Sequence, residues 1–578
     1  MFNAIVSAPP LWFSPFFLRP LLFLVLFGIA AGAVGTLVNL RNWQFGAEAS
    51  VHSIFPGIVV GAVFGGIDWI PAGGGICAIF VAAALTWAMR HRAHEAAAAV
   101  VLTSFFALGV IISLKKGDMS GQMEALMFGR LLEVTPQRMA ISLIFCLFAC
   151  VLVVLSWRAQ LMCAFDSAGA GAARVPTTLC DVCLNAAMCA IVVAGASAIG
   201  VLLVVGYLIV PALAARLLSS SPRQMLAYSV LLSCAGGALG MATLLVPLFQ
   251  AYFTPSLGCS DPSGSMRTHR RTAQSTKESS DMLAILLLPL LELALLGILS
   301  GIVGTMTVLR GRVFFAESIT HGAFPGAVIG VVCASVFTRD HSILALCVFL
   351  GALGLCLPLS ALMSALARIP GVSGGGAAGV VLTFSFALGY FLSKWFAPLP
   401  LQISSFLTGS IMTVTPVDIV LAGMALVCAL CILALRGRHI LLLSFDAQGY
   451  RAAFRSSPGA CALTDALISA LITVCVIVMI PAVGTLLPLA LLVAPSAGLM
   501  RFITRPGVLM VASVFAALAI SACGFGISLV AELSSGGCIA LTSGLFFCGC
   551  VAWEALASRP KAGSTPARRR VMRQRNEA

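Results

Sequence analysis

Glu48-Ala-Ser-Val-His52-Ser-Ile-Phe55-Pro56-Gly57 and, 269 residues later, Glu317-Ser-Ile-Thr-His321-Gly-Ala-Phe324-Pro325-Gly326 share the pattern E-x-x-x-H-x-x-F-P-G, and both lie inside apolar segments. A charge at the centre of a membrane helix costs roughly 2.5–3.5 kcal/mol on insertion scales, so a carboxylate–imidazole pair carried twice points to use rather than accident. The i, i+4 spacing puts both side chains on one helix face, where they can share a cation. Two copies suggest a pathway between two similar halves. The pair alone leaves two other roles open: hydrogen-bonding glue between helices and a proton relay. The following Pro-Gly frees a backbone carbonyl and allows a bend.

Working outward, the apolar segments set the class. The chain has 578 residues, 60% hydrophobic and 9% charged, with a mean hydropathy of +1.07. So few charges cannot cover a soluble protein of this size. Continuous apolar stretches of about 18–25 residues read as transmembrane helices, and their lack of alternation excludes a β-barrel. The first stretch, from about Pro20 to Leu40, reads as a span rather than a removable signal. The expected fold is an all-α polytopic membrane protein.

The net charge of +14 sits in short loops and in a tail that includes Arg568, Arg569 and Arg570. That placement reads as topogenic charge facing the cytoplasm, with some attraction to anionic lipid, and not as a nucleic-acid surface. Cys180-x-x-Cys183 and Cys428-x-x-Cys431 have ligand-like spacing, but both lie in or beside apolar spans without a second pair at zinc-finger distance. They read as small packing residues.

The halves match collinearly beyond the opening motif. Val101-Leu-Thr-Ser-Phe-Phe-Ala-Leu-Gly109 answers Val381-Leu-Thr-Phe-Ser-Phe-Ala-Leu-Gly389. Phe128-Gly129 and Val134-Thr135-Pro136 answer Thr408-Gly409 and Val414-Thr415-Pro416. Phe165-Asp166 answers Phe445-Asp446, Asp181 answers Asp465, and Gly200 through Pro211 answers Gly484 through Pro495. Such order marks two copies of one unit. The expected division is a first repeat over 1–254, a polar linker over 255–281, a second repeat over 282–556 and a basic cytoplasmic tail over 557–578. Nine spans fit the second half and eight the first, near 283–309, 314–337, 342–367, 377–393, 417–435, 463–480, 484–500, 508–533 and 537–555 in the second. The sixth and seventh are short enough to be re-entrant. Losing the ninth span from the first half makes the repeats parallel, with most Lys and Arg inside. Asp166, Asp446, Asp181 and Asp465 stand beside expected helix starts and read as caps. Glu292 has no counterpart in the first half and receives no role.

The acid-x-x-x-His-x-x-x-Pro-Gly segment after Leu-Arg, the Phe-Ala-Leu-Gly helix, the Phe-Gly and Val-Thr-Pro segment, the Phe-Asp turn and the Gly-x-Leu-Leu-x(7)-Pro helix together resemble the ABC-3 family. These are membrane subunits of manganese, zinc and iron ABC importers. The resemblance covers about Leu21 to Phe253 and Leu283 to Trp553, and the fusion of two units in one chain departs from the family's usual separate subunits. It implies that Glu48, His52, Glu317 and His321 bind the metal transiently in the translocation path. It also implies a loop helix that docks an ATPase near Arg216, Pro222 and Arg223, and near Arg501 and Arg505. The family's acid is usually Asp, and both copies here have Glu, whose extra methylene extends the carboxylate by roughly 1.5 Å.

Carboxylate and imidazole suit Mn²⁺, Fe²⁺ and Zn²⁺, and a set without thiolate suits passage rather than retention. No G-x-x-x-x-G-K-[ST] phosphate loop occurs in the chain, so the chain is not expected to be an enzyme and ATP hydrolysis falls to a partner subunit. The expected partners are ABC ATPase subunits, an extracytoplasmic metal-binding protein and membrane lipid, with no nucleic acid. No tightly bound cofactor is expected, and the divalent metal is substrate. The expected location is the bacterial inner membrane. The alternative is a proton-coupled secondary transporter, a class that often has inverted repeats. An intramembrane metalloenzyme lacks its motifs, and a chelate permease predicts a wider path without paired ligands.

Overall fold

A computed structural model describes residues 15–90, 93–115, 129, 131, 134–196, 198–243, 278–337, 341–397, 409, 411–454, 458–485 and 487–557. Most of the expected linker, the basic tail after residue 557, Phe128 and Thr408 lie outside the described residues. Within the described residues the chain is helical and has no strand. The first half runs through α1 (Pro15–Leu40), α2 (Gln44–Ser53), α3 (Phe55–Gly65), α4 (Ile70–Met89), α5 (His94–Lys115), α6 (Pro136–Phe165), the short α7 (Ser167–Ala172), α8 (Thr177–Ala196), α9 (Val201–Leu218) and α10 (Pro222–Thr243). The second half continues with α11 (Glu278–Leu309), α12 (Val313–Phe337), α13 (His341–Leu366), α14 (Gly374–Trp395), α15 (Pro416–Phe445), the short α16 (Ala447–Ala453), α17 (Pro458–Val483), α18 (Pro488–Leu499), α19 (Pro506–Ala531) and α20 (Ser535–Ala557). Helix α11 starts at Glu278, so the last residues of the expected linker are helical.

Among the described residues, 15 helices are long and apolar enough to cross a membrane, with α2 and α3 counting as one. One shorter apolar helix in each half, α9 and α18, completes the expected sets of about eight and nine. Twelve residues in α18 rise about 18 Å, well short of a hydrocarbon core of about 30 Å. Such a half-span is tolerated only inside protein, and α18 is buried from Pro488 to Gly498. It packs on α5 of the other half, as the full-length α20 also does, and α9 packs on α14, so both short helices lie at the junction between halves.

The repeated motifs are mostly helix signals. Thr135 and Thr415 are N-caps with proline in the first turn, and Thr415 forms a capping box with Asp418. Asp166 and Asp446 cap α7 and α16 by accepting from the backbone N–H of Gly169 and Gly449, at 2.7 and 2.8 Å. Gly129 and Gly409 have positive φ, of 74° and 62°, and each lies against the backbone at Gly200 or Gly484, where a Cβ would overlap it.

Asp181 and Asp465 are not caps. Asp181 pairs with Arg41 at 2.8 Å, and Asp465 with Arg310 at 2.6 Å and Arg312 at 2.7 Å. The carboxylates are drawn to the arginines that end α1 and α11, a contact that spans more than 130 residues and leaves no local trace. Together with Arg90 and Arg216, these arginines mark one end of the bundle as basic.

Equivalent residues meet across the junction. The rings of Phe45 and Phe314 are 5.2 Å apart and those of His52 and His321 are 5.7 Å apart. Two like-to-like contacts, seven residues apart on both helices, require α2 and α12 to run in the same direction. An antiparallel pair would set Phe45 beside His321. The repeats are therefore parallel, related by a pseudo-twofold axis along the helices.

Candidate metal path at the junction of the two halves

The four motif residues converge on that axis. Helix α2 carries Glu48 and His52 on one face, helix α12 carries Glu317 and His321, and all four are 0–1% exposed. His52 Nε2 lies 2.8 Å from Glu48 Oε1, and His321 Nε2 lies 3.4 Å from Glu317 Oε1. Glu48 Oε1 is also 3.8 Å from His321 Nε2, so one carboxylate reaches both imidazoles. One ligand-type atom from each of the four residues falls within 4.8 Å of all the others. Four ligands at about 2.0–2.2 Å from a tetrahedral ion are about 3.3–3.6 Å apart, so small side-chain movements would close the set on one ion.

The electrostatics argue the same way. Buried charge and buried polar groups are costly unless paired. Yet Glu48 Oε2, Glu317 Oε2 and His321 Nδ1 have no partner among the described residues, and Glu317 Oε1 has only its 3.4 Å contact with His321 Nε2. The glue role expects the opposite, a set of groups satisfied by neighbouring helices. A divalent cation would satisfy these atoms and offset the two carboxylates. This set is the sole group of three or more His, Cys, Asp and Glu side chains with ligand-compatible spacing among the described residues. Cys180, Cys183, Cys428 and Cys431 are free thiols outside it.

Two phenylalanines that sequence reasoning treated only as repeat markers complete the site. Phe106 meets the His52 ring edge-on at 5.8 Å, and Phe386 meets His321 edge-on at 5.5 Å. They are the last Phe of each Phe-Ala-Leu-Gly segment and also pack on Phe55 and Phe324. The imidazoles are thus oriented by aromatic walls. On the basic side, the Phe45–Phe314 pair separates the cluster from a cavity of about 160 Å³ lined by Gln44, His94, Glu95 and Ser373. Gln44 donates to Ser373 Oγ at 3.1 Å and to Asn39 Oδ1 at 3.2 Å, tying α2 to the start of α14.

The expected coupling residues lie elsewhere, at the basic end. Arg216 donates to the Asn39 carbonyl at 3.0 Å and so closes the end of α1. Arg501 pairs with Glu554 and stands over the Phe547 ring. Both guanidiniums are committed within the chain. Pro222 begins α10, Arg223 is exposed, and Arg505 is the exposed N-cap of α19. The connections at 219–221 and 500–505 hold no separate helix. Ser220 and Ser221 bond Gln224 and cap α10 directly, which leaves no residues for one.

Parallel repeats of apolar helices, half-spans at the junction and one polar cluster on the axis define a multi-pass membrane transport permease. A family model described as "ABC 3 transport family" matches residues 14–246 and again 282–553. The chain belongs to that family, with two copies of its unit in tandem. Among curated proteins, it is 25% identical over 219 residues to the manganese transport system membrane protein MntC of Halalkalibacterium halodurans, covering 38% of this chain and 74% of that one. It is 24% identical over 242 residues to the chelated iron transport system membrane protein YfeD of Yersinia pestis, covering 42% and 80%. It is 31% identical over 206 residues to the zinc transport system membrane protein TroC of Treponema pallidum, covering 35% and 65%.

Proposed function

We propose that this chain is the transmembrane permease subunit of an ABC importer for a divalent transition metal ion, manganese, zinc or iron. The ion would come from an extracytoplasmic metal-binding protein and pass between the halves at Glu48, His52, Glu317 and His321. Separate ATPase subunits on the cytoplasmic side would drive the passage, in a bacterial inner membrane. The observation that carries this reading is the four-residue cluster, buried on the pseudo-twofold axis with Glu48 Oε2, Glu317 Oε2 and His321 Nδ1 unpartnered among the described residues.

The chemistry follows from the donors. Two carboxylates and two imidazoles bind borderline divalent ions well enough to strip water, and without thiolate they release them again. Histidine binds through a neutral nitrogen, so entry of M²⁺ beside two carboxylates leaves a nearly neutral site. The Phe45–Phe314 pair stands about one helical turn from the glutamates, and its separation would open the way to the basic-side cavity. With the basic end in the cytoplasm, that cavity is the exit. The names of the relatives support a metal cargo, and the missing phosphate loop supports a separate ATPase.

The test is uptake of ⁵⁴Mn²⁺ and ⁶⁵Zn²⁺ by cells expressing the His52→Ala/His321→Ala double variant, with membrane insertion followed by immunoblot. Uptake should be lost while insertion persists; undiminished uptake would sink the site assignment. Transport that survives ATP depletion but stops with an uncoupler would favour the proton-coupled alternative.

A further inference from the structure

The second half holds a basic cavity that the transport path does not use. It lies at the basic end, between α12, α13, α15, α16 and α17, and encloses about 320 Å³, room for about ten waters. Its wall carries Arg312, Arg368 and Arg451, with Asp465 as the sole carboxylate. That carboxylate is already shared by Arg310 and Arg312, and Arg312 also bonds Ser469. Arg368 and Arg451 have no ion-pair partner among the described residues. Four guanidiniums therefore face one carboxylate, an excess of three positive charges. Arg310, behind the wall, shows the crowding. Burial first, and then the charges of Arg312 and Arg451, draw its pKa below the ordinary value against the pull of Asp465. Its buried Nε has no acceptor among the described residues.

The surroundings indicate what kind of anion fits. On the same helices that wall the cavity, Leu362 of α13, Leu442 and Phe445 of α15, and Leu463 of α17 are 44–66% exposed. An apolar flank at the end of membrane helices, below a cluster of guanidiniums, matches an amphiphile with a phosphate head and acyl tails. The first half lacks two of these guanidiniums. The counterparts of Arg312 and Arg451 are Trp43 and Gly171, and Arg41 stacks on Trp43 at 4.4 Å while it pairs with Asp181.

We infer that the cavity bounded by Arg312, Arg368, Arg451 and Ser364 binds the headgroup phosphate of an anionic phospholipid of the cytoplasmic leaflet. Bidentate guanidinium–phosphate bonds fix the head, and the exposed leucines and Phe445 line the tails. The site depends on the orientation of the basic end, not on the identity of the transported ion.

The test is native mass spectrometry of the full chain in detergent with equal phosphatidylglycerol and phosphatidylcholine. Wild type should retain phosphatidylglycerol over phosphatidylcholine by roughly tenfold or more. Arg368→Gln/Arg451→Gln should lose that preference, as should Ser364→Trp, which fills the cavity and leaves every charge in place. Arg158→Gln, an exposed arginine on α6, should keep it. Equal retention of both lipids by wild type would overturn the site, and so would an unchanged preference in both cavity variants. Displacement of phosphatidylglycerol by an equal concentration of inorganic phosphate would overturn the lipid assignment in favour of a free anion.

Discussion

The first and second halves present the same Glu-His pair on differently built helices. In the first, α2 ends at Ser53 and α3 restarts at Phe55, with Ile54 still in the right-handed helical region and the Gly57 amide bonded to the Ile54 carbonyl three residues back. In the second, α12 runs unbroken from Val313 to Phe337 through Pro325. Both copies contain Pro-Gly, so proline alone does not decide the break. The residue two before the proline differs: β-branched Ile54, which crowds the preceding turn, against Ala323, the best helix former. The pairs differ too, with His52 and Glu48 hydrogen-bonded at 2.8 Å and His321 and Glu317 looser at 3.4 Å. A twofold site thus has one interrupted arm with a single free carboxylate oxygen, Glu48 Oε2, and one straight arm with more free ligand atoms.

The sharpest way to break this comparison is to remove one arm at a time. If the arms share a single ion, His52→Ala and His321→Ala should each lower metal uptake roughly 10–100-fold. The double variant should then be little worse than either single, a non-additive result expected of residues that act as a unit. Two independent sites would instead give effects that multiply.

A smaller effect should come from the aromatic walls. Phe106→Ala and Phe386→Ala each remove the ring beside one imidazole and leave a cavity worth about 3 kcal/mol. Both should lower the melting temperature and weaken metal binding, and Phe→Leu should restore stability better than it restores binding. Equal recovery of both would reduce the rings to packing.

The smallest effect tests the hinge. Ile54→Ala, which gives the first copy the residue the second has at that place, should let α2 continue into α3 and change the uptake rate a few-fold with insertion intact, while Pro325→Ala in the continuous helix should matter less. Equal effects would show that the break at Ile54 is not a working hinge.

Much of this was readable in the sequence. Hydropathy gave the spans because a membrane demands long apolar helices, and the collinear motifs gave the two units because both copies keep the same caps and glycines. The i, i+4 pair gave the site residues because a carboxylate and an imidazole at that depth need a reason. What was not legible depends on contacts distant in the chain. The Asp181–Arg41 and Asp465–Arg310 pairs, the commitment of Arg501 to Glu554 and the docking of Phe106 and Phe386 on the imidazoles have no local pattern. The seventh span read as short enough to be re-entrant and is the buried half-span α18; its packing on α5 of the other half is what has no local pattern.

The central claim is that four residues from two halves hold one ion, and metal stoichiometry tests it most directly. Mn²⁺ titrated into the purified full chain, followed by electron paramagnetic resonance, should saturate at one ion per chain, with nitrogen couplings from both imidazoles. His52→Ala and His321→Ala should each remove one coupling from that same ion. Two ions per chain, or an ion whose couplings survive in either single variant, would contradict the account.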